Sequence, residues 1–308
     1  FNNAAKAKAF SETLPLPVVI KADGLAQGKG VVIAETRTNA AAAIDSMFDG
    51  AFGEAGAEVV IEEFMQGEEA SYFAITDGAT IVPFGGAQDH KRVGEGDTGP
   101  NTGGMGAYST DGIATTAMRL WLLRNVAQKT VDGMKSEGIP FQGILFCGIM
   151  MTPRGPMVLE FNTRFGDPET EAILLRMETD LLDLLNASID GNAHQLTVKL
   201  RPGASVCVIA ASAGYPGKYV SGKPLHGLPL ADGSDDDVVI FHAGTAIKDG
   251  QLVTAGGRVL AITAVAPDLK TALDKAYAAL AKISFEGMQF RRDIGHRALR
   301  SASIHLAN

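Results

Sequence analysis

Glu160 and Asn162 stand one residue apart in the run Val158-Leu-Glu-Phe-Asn162. Side chains alternate along an extended strand, so both polar groups project from one face while Leu159 and Phe161 turn to the other. Two hard oxygen donors side by side suit magnesium, an ion usually held by one or two carboxylates together with substrate phosphates. An exposed strand face would read the same way. Arg164 follows two residues later, where a guanidinium can neutralise a transferring phosphoryl group or a substrate carboxylate. Asp167-Pro168-Glu169 then reads as a helix start, with Asp167 as N-cap and Pro168 at the first helical position, and capping alone would account for Asp167.

Further groups lie upstream. Gly24 to Gly30 (GLAQGKG) is one residue short of the Walker spacing, puts Gly30 where a magnesium-binding hydroxyl would stand, and leads into a strand-like run rather than a helix. Its backbone amides could still cradle phosphate, with Lys29 and Lys21 adding charge, or it could be a plain glycine turn. Glu62-Glu63-Phe64-Met65-Gln66-Gly67-Glu68-Glu69 gathers four carboxylates at the end of an apolar strand. Such a hinge offers backbone groups to an adenine edge and a carboxylate to ribose hydroxyls; it also reads as a solvated acidic turn, the reading we favour for Glu68. The stretch Ala87 to Ser109 shows no hydrophobic period and many glycines, so it reads as a long functional loop carrying Asp89, His90, Lys91 and Arg92. His90 reads as a solvated turn residue, and His242 as packed in the last domain.

The elements that must position these groups follow from pattern. Pro17 to Ala22 and Val31 to Ala34 form a hairpin, and a helix capped by Asn39 runs to Asp49. Val59 to Phe64 is a strand, and Ser71 to Thr76 and Thr80 to Phe84 flank the hairpin turn Asp77-Gly78. A helix over Thr115 to Glu137 precedes strands Gly143 to Met151 and Met157 to Phe161. One helix from Pro168 then holds an apolar stripe through Ile173, Leu174, Met177, Leu181, Leu184 and Leu185 up to Gly191. Beyond about Leu196, strands at 205–211, 238–241 and 259–264 with a helix at 269–283 read as a separate α+β unit.

The 308 residues suggest about two or three domains. With Lys+Arg 27 against Asp+Glu 35, a formal charge of −8, an extended face for nucleic acid or anionic lipid is not expected. No apolar run reaches the ~20 residues that span a bilayer. Cys147 and Cys207 both sit in apolar runs, which fits a reducing, cytoplasmic setting better than a disulfide or metal framework. The chain opens on Phe1 rather than Met, and an N-terminal portion is expected to precede it.

In this order the motifs resemble an ATP-grasp ligase. The segments KADGLAQGKGV, IEEFMQGEEAS, QDHKRVGEGDTGPNTGGMGAYS, EFNTRFGDPETE, FHAGT and RRDIGHRA resemble the phosphoribosylamine-glycine ligases (glycinamide ribonucleotide synthetases) over nearly the whole chain. The resemblance implies an α+β / α/β ATP-grasp fold of two lobes. Residues 1–65 would be the lid subdomain, 66–195 the catalytic subdomain and 196–308 a C-terminal α+β domain. It implies joining of glycine to 5-phosphoribosylamine through a glycyl phosphate, with ATP and Mg2+ or Mn2+, by a monomer or weak homodimer. Lys21, Gly28, Lys29 and Gly30 would hold phosphates, Glu62, Glu63 and Met65 the adenine, Glu69 the ribose, and Glu160 and Asn162 the metal. Arg164, Asp167 and Asp89 would face the acyl phosphate and substrates, under a glycine-rich lid that excludes water. The family's N-terminal α/β domain has no counterpart here, so ATP binding with weakened or absent turnover is expected from this chain alone. Another ATP-grasp carboxylate-amine ligase, or an ATP-binding fragment without turnover, are the alternatives.

Overall fold

A computed structural model describes residues 1–24, 30–228 and 235–305, the last five by backbone only. Gly28 and Lys29 therefore lie outside the described residues. Two compact units emerge, Phe1–Gly67 and Glu68–Asn308.

The first unit contains α1 (Ala4–Ser11), β1 (Val18–Ala22), β2 (Val31–Ala34), α2 (Arg37–Ser46) and β3 (Val59–Glu63). Its antiparallel sheet runs β2-β1-β3. Alternation splits the strands cleanly: Val18, Ile20, Ala34, Val59 and Ile61 turn inward onto Ala7 of α1 and Ala40 and Ile44 of α2. The opposite face carries the partly open Val31, Ile33 and Val60, with Lys21 and Glu62 among them. Helix α2 starts earlier than its composition predicts. Thr36 is the cap, and Asn39 donates its backbone N–H to the Thr36 hydroxyl at 3.1 Å. Either residue type can cap; Thr36 has the extended backbone that an N-cap requires.

The second unit contains β4 (Glu68–Thr76), β5 (Ile81–Asp89), β6 (Arg92–Gly94), β7 (Thr98–Asn101) and β8 (Gly106–Thr110). Helices α3 (Thr116–Leu122) and α4 (Gln128–Ser136) follow, joined by a π-type turn, then β9 (Gly143–Thr152), β10 (Gly155–Asn162), α5 (Glu169–Arg176) and α6 (Leu181–Ile189). The remaining described elements are β11 (Ala204–Ala211), β12 (Val238–His242), β13 (Thr245–Lys248), β14 (Gln251–Thr254), β15 (Arg258–Ala266), α7 (Leu269–Leu280) and α8 (His296–His305). Eight strands form one antiparallel sheet in the order β10-β9-β4-β5-β8-β11-β15-β12, continuous through the β8–β11 pairing.

Both faces of this sheet are covered, which explains why β9 is apolar at nearly every position and β4 is apolar from Tyr72 to Ile75. Tyr72, Ala74, Cys147 and Ile149 pack on Leu122, Val126 and Val131 of the α3–α4 run. Phe73, Ile75 and Phe146 pack on Ile173 of α5 and Leu184 of α6. Farther along, Val206, Val208, Leu260 and Ile262 bury Ala272, Leu273 and Ala276 of α7.

Three expectations change here. The stretch from Ala87 to Ser109 is not an unstructured loop: β5 continues to Asp89, β6 and β7 form a hairpin, and β8 enters the main sheet. Its glycines hide the periodicity because they contribute no side chain to either face. The apolar stripe after Pro168 belongs to two helices, since Met177 leaves α5 with an extended backbone and Asp180 caps α6 through Leu182 N–H. Finally, a bulge between Val158 and Glu160 interrupts the strict alternation of β10, and Phe161 is 43% exposed.

Candidate functional site

The register of four strands assembles the polar residues. Glu160 lies opposite Gly148, Gly148 opposite Ser71, and Ser71 opposite Ala87. Side chains two residues apart share a face, so Asn162, Glu160, Ser71, Glu69 and Asp89 all project from one side of the sheet. Phe73 and Phe146 continue that side into the core beneath α5 and α6. The polar row is thus the rim of a hydrophobic layer, held in place by packing.

Asn162 Nδ2 is 3.4 Å from Glu160 Oε1 on the edge strand β10, as alternation predicts. Their carboxylate and amide supply hard oxygen donors, which fit a divalent ion such as magnesium. Among the described residues no group of three or more His, Cys, Asp or Glu side chains is placed to hold a metal. Protein donors at Glu160 and Asn162 would therefore be supplemented by phosphate and water.

Beside this pair Asp89 and Glu169 are buried, and Lys91 and Glu69 half-buried. Lys91 forms an ion pair with Glu69, whose main-chain oxygen accepts from Gln88 Nε2 at 2.7 Å. Ser71 Oγ donates to Glu169 Oε1 at 2.9 Å. Burial raises the Asp89 carboxyl to about 7, with Glu169 and Glu69 adding to the rise and Lys91 opposing it. Burial also raises Glu169, against the Ser71 hydrogen bond and Lys91. For Lys91 burial acts the other way, yet Asp89 and Glu69 outweigh it and hold the ammonium charged well above the usual lysine range. One cation among acids, two of them reluctant to ionise, is an arrangement that can pass or hold protons.

Arg164 is exposed and donates to the Phe165 carbonyl at 2.8 Å. Asp167 does not cap α5: the cap position falls on Pro168, without a side-chain bond, and Asp167 pairs instead with Arg258 on β15 at 2.9 Å. The guanidinium offers Asp167 an opposite full charge, which a backbone N–H at the cap position does not.

In the first unit Lys21 Nζ is 2.6 Å from Glu62 Oε2 across the β1–β3 pair. Both stand on the open apolar face with Val31, Ile33 and Val60. Gly30 accepts from Ala22 N–H at 2.8 Å, closing the described end of the glycine hairpin. Glu63 is exposed and Met65 half-buried, while Glu68 is exposed as expected.

Both histidines reverse their readings. His90 is fully buried, accepting Gly295 N–H at Nε2 (3.2 Å), and burial with Arg291 and Arg297 lowers it to about 3. The hydrophilic company His90-Lys91-Arg92 disguised a side chain covered by residues some two hundred positions away. His242 is exposed, with Nδ1 3.0 Å from Thr245 Oγ1. Residue-by-residue reading also missed Arg258, whose partners lie 91 to 155 residues away, and Arg291, which joins nearby Asp293 to the distant Asp97 and Arg92 carbonyl; the one signal, for Arg258 alone, was an arginine heading the largely apolar run 259–266.

A two-unit chain with an antiparallel sheet, an edge strand bearing Glu-x-Asn and a glycine-rich β-hairpin is an ATP-grasp protein. Residues 1–170 match the phosphoribosylglycinamide synthetase ATP-grasp (A) domain, and residues 205–297 match the phosphoribosylglycinamide synthetase C domain. A phosphoribosylamine–glycine ligase of Mesorhizobium japonicum is 51% identical over 299 residues, 97% of this chain and 70% of that protein. The crystal structure of phosphoribosylamine–glycine ligase from Thermotoga maritima superposes with a TM-score of 0.87 at 34% identity, covering 96% of this chain and 73% of that one. Biotin carboxylase from Campylobacter jejuni shares the fold alone, with a TM-score of 0.70 at 14% identity over 94% of this chain and 63% of that one. The chain belongs to the phosphoribosylglycinamide synthetase family.

Proposed function

We propose that the protein is an ATP-dependent carbon–nitrogen ligase of purine biosynthesis, joining glycine to 5-phosphoribosylamine to give glycinamide ribonucleotide, ADP and phosphate. The observation that carries this reading is half-identity over 97% of the chain to enzymes of that name. The geometry supports it. Transfer of the γ-phosphoryl group to the glycine carboxylate gives a glycyl phosphate; the amine of phosphoribosylamine then attacks its carbonyl carbon and phosphate leaves.

On this reading Glu62, Glu63 and Met65 bind adenine, Glu69 binds the ribose hydroxyls, and Lys21 with Gly28, Lys29 and Gly30 binds the phosphates. Glu160 and Asn162 would hold Mg2+ or Mn2+, and such an ion would screen the negative charge of the phosphates. Arg164 offsets charge on the carboxylate and transferring phosphoryl group. Asp89, whose carboxyl titrates near neutrality, is suited to take a proton from the attacking amine. Asp167 faces the same groups. Residues 1–65, 66–195 and 196–308 would serve as lid, catalytic subdomain and C-terminal domain, in a cytoplasmic monomer or weak homodimer.

The test is ADP release with Mg-ATP, glycine and phosphoribosylamine generated in the assay, alongside direct ATP binding. Release that needs both co-substrates supports the reading. Release that ignores glycine, or absence of ATP binding, overturns it.

A further inference from the structure

Three stretches far apart in sequence meet at one side chain. Arg258, at the head of β15 and 20% exposed, donates Nη1 to the Gly103 carbonyl at 2.7 Å and to the Asp167 carbonyl at 2.9 Å. Its Nη2 donates to Asp167 Oδ2 at 2.9 Å. Tyr215 closes the same joint, its hydroxyl accepting Gly103 N–H at 2.9 Å. Space there is filled: a Cβ on Gly103 would come within 3.1 Å of Arg258 Cζ, and one on Gly104 within 2.5 Å of Pro168 Cδ. Thus the glycine pair before β8 and the turn before α5 are fitted around one guanidinium.

We propose that Arg258 is a positioning residue for the ligase reaction, fixing the Asp167 carboxylate and the Gly103–Gly104 backbone in a single arrangement. This rests on the placement of Asp167 at the reacting groups proposed above. A guanidinium suits the task because its planar fork binds a carboxylate and carbonyls simultaneously with all donors fixed in direction, which a lysine ammonium does not do. The segment that supplies β15 then belongs to the framework of the catalytic centre. Misplacing a reacting group by about 1 Å costs up to about a hundredfold in rate, so the effect should fall on turnover rather than on nucleotide affinity.

The experiment compares Arg258→Ala, Arg258→Lys and Asp167→Asn in the full-length enzyme, measuring kcat, the KM for each substrate, and Tm. Arg258→Ala should lose about 10- to 100-fold in kcat with KM for Mg-ATP within about twofold, and added methylguanidinium should restore part of the rate. Arg258→Lys should remain impaired, because one ammonium cannot reproduce the fork. A near-normal kcat in Arg258→Ala, or a loss that methylguanidinium does not relieve, overturns the proposal. If Asp167→Asn itself turns over normally, the assignment of Asp167 fails and this inference with it. If Asp167→Asn is impaired while Arg258→Ala is not, Arg258 alone is excluded.

Discussion

Ser71 on β4 and Glu169 at the start of α5 are joined across 98 residues by a buried 2.9 Å hydrogen bond. Ser71 is the central rung of the row Glu160–Gly148–Ser71–Ala87, so this bond ties the helix start to the sheet face that carries the polar residues. Replacing Ser71 by Ala leaves the buried Glu169 carboxyl without that donor, and we expect a loss of roughly 1–3 kcal/mol in denaturant-derived stability. Ser71→Cys, which restores only a weak donor, should fall between the two. A fully stable Ser71→Ala would show that Glu169 does not depend on this bond.

Asp89 and His90 are neighbours with opposed effects on acid stability. The folded state holds the Asp89 proton up to about pH 7, whereas an unfolded Asp titrates near 4; folding therefore takes up a proton in that window, and this contribution weakens as pH rises through it. The folded state keeps His90 neutral down to about pH 3, whereas an unfolded His titrates near 6.5, so its contribution is lost as pH falls below 6.5. In the unaltered protein the two largely cancel between about pH 4 and 6.5. Asp89→Asn should expose a Tm that climbs with pH across that range, and His90→Gln one that declines. Parallel Tm profiles for the three proteins would contradict both shifts.

Glu160 is exposed on an edge strand, so its loss should leave folding intact and act on metal use. For Glu160→Gln we expect the metal concentration at half-maximal turnover to rise by at least about tenfold. Stability should change by no more than about 0.5 kcal/mol. Asn162→Ala should behave alike. Titrations with Mg2+ and Mn2+, read by ADP formation, decide the point; an unaltered metal requirement in both variants would remove them from the metal site.

Gly104 has φ +116°, in a region that L side chains rarely adopt, and its added Cβ would meet Pro168 Cδ at 2.5 Å. Strain and overpacking together should make Gly104→Ala cost roughly 2–5 kcal/mol. Gly112→Ala, whose nearest neighbour is Thr110 Oγ1 at 3.7 Å, is the matched control. Urea midpoints measure the difference.

What could be read in advance depended on how local its cause was. Alternation alone paired Glu160 with Asn162, because adjacency on a strand face needs only the pleat. The hairpin at Asp77-Gly78 and the helical run from Thr116 to Ser136 likewise follow from short-range turn chemistry and periodicity. Asp167 failed because a local cap competed with an arginine 91 residues away. His90 failed because its cover comes from Gly295 and His296, and no local pattern encodes that contact. The hairpin β6–β7 escaped notice because Gly94, Gly96 and Gly99 give no alternating side chains to count.

Arg291 holds that hairpin from the far end of the chain. Fully buried, it binds both oxygens of Asp293 at 2.7 Å, Asp97 Oδ1 at 3.0 Å and the Arg92 carbonyl at 3.1 Å. Asp97 keeps a second partner in Arg297 at 2.8 Å, and Asp293 keeps Gly96 N–H at 2.8 Å. Removing the central cation strands two acids in partial burial, so Arg291→Met should cost about 3–5 kcal/mol. Arg291→Met combined with Asp293→Leu should recover much of that loss, since the desolvated charge goes with its partner. The pH dependence gives an independent check. Asp293 is pulled down to about 2 against burial, chiefly by its Arg291 hydrogen bonds and Gly96, so its contribution is present above about pH 4 and fades as pH falls toward 2. That acid-limb loss should shrink in Arg291→Met, and limited proteolysis should open the chain between Arg92 and Asn101 first. Cleavage elsewhere before that hairpin, or an unchanged acid limb, would show that the clamp does not govern the hairpin's local stability.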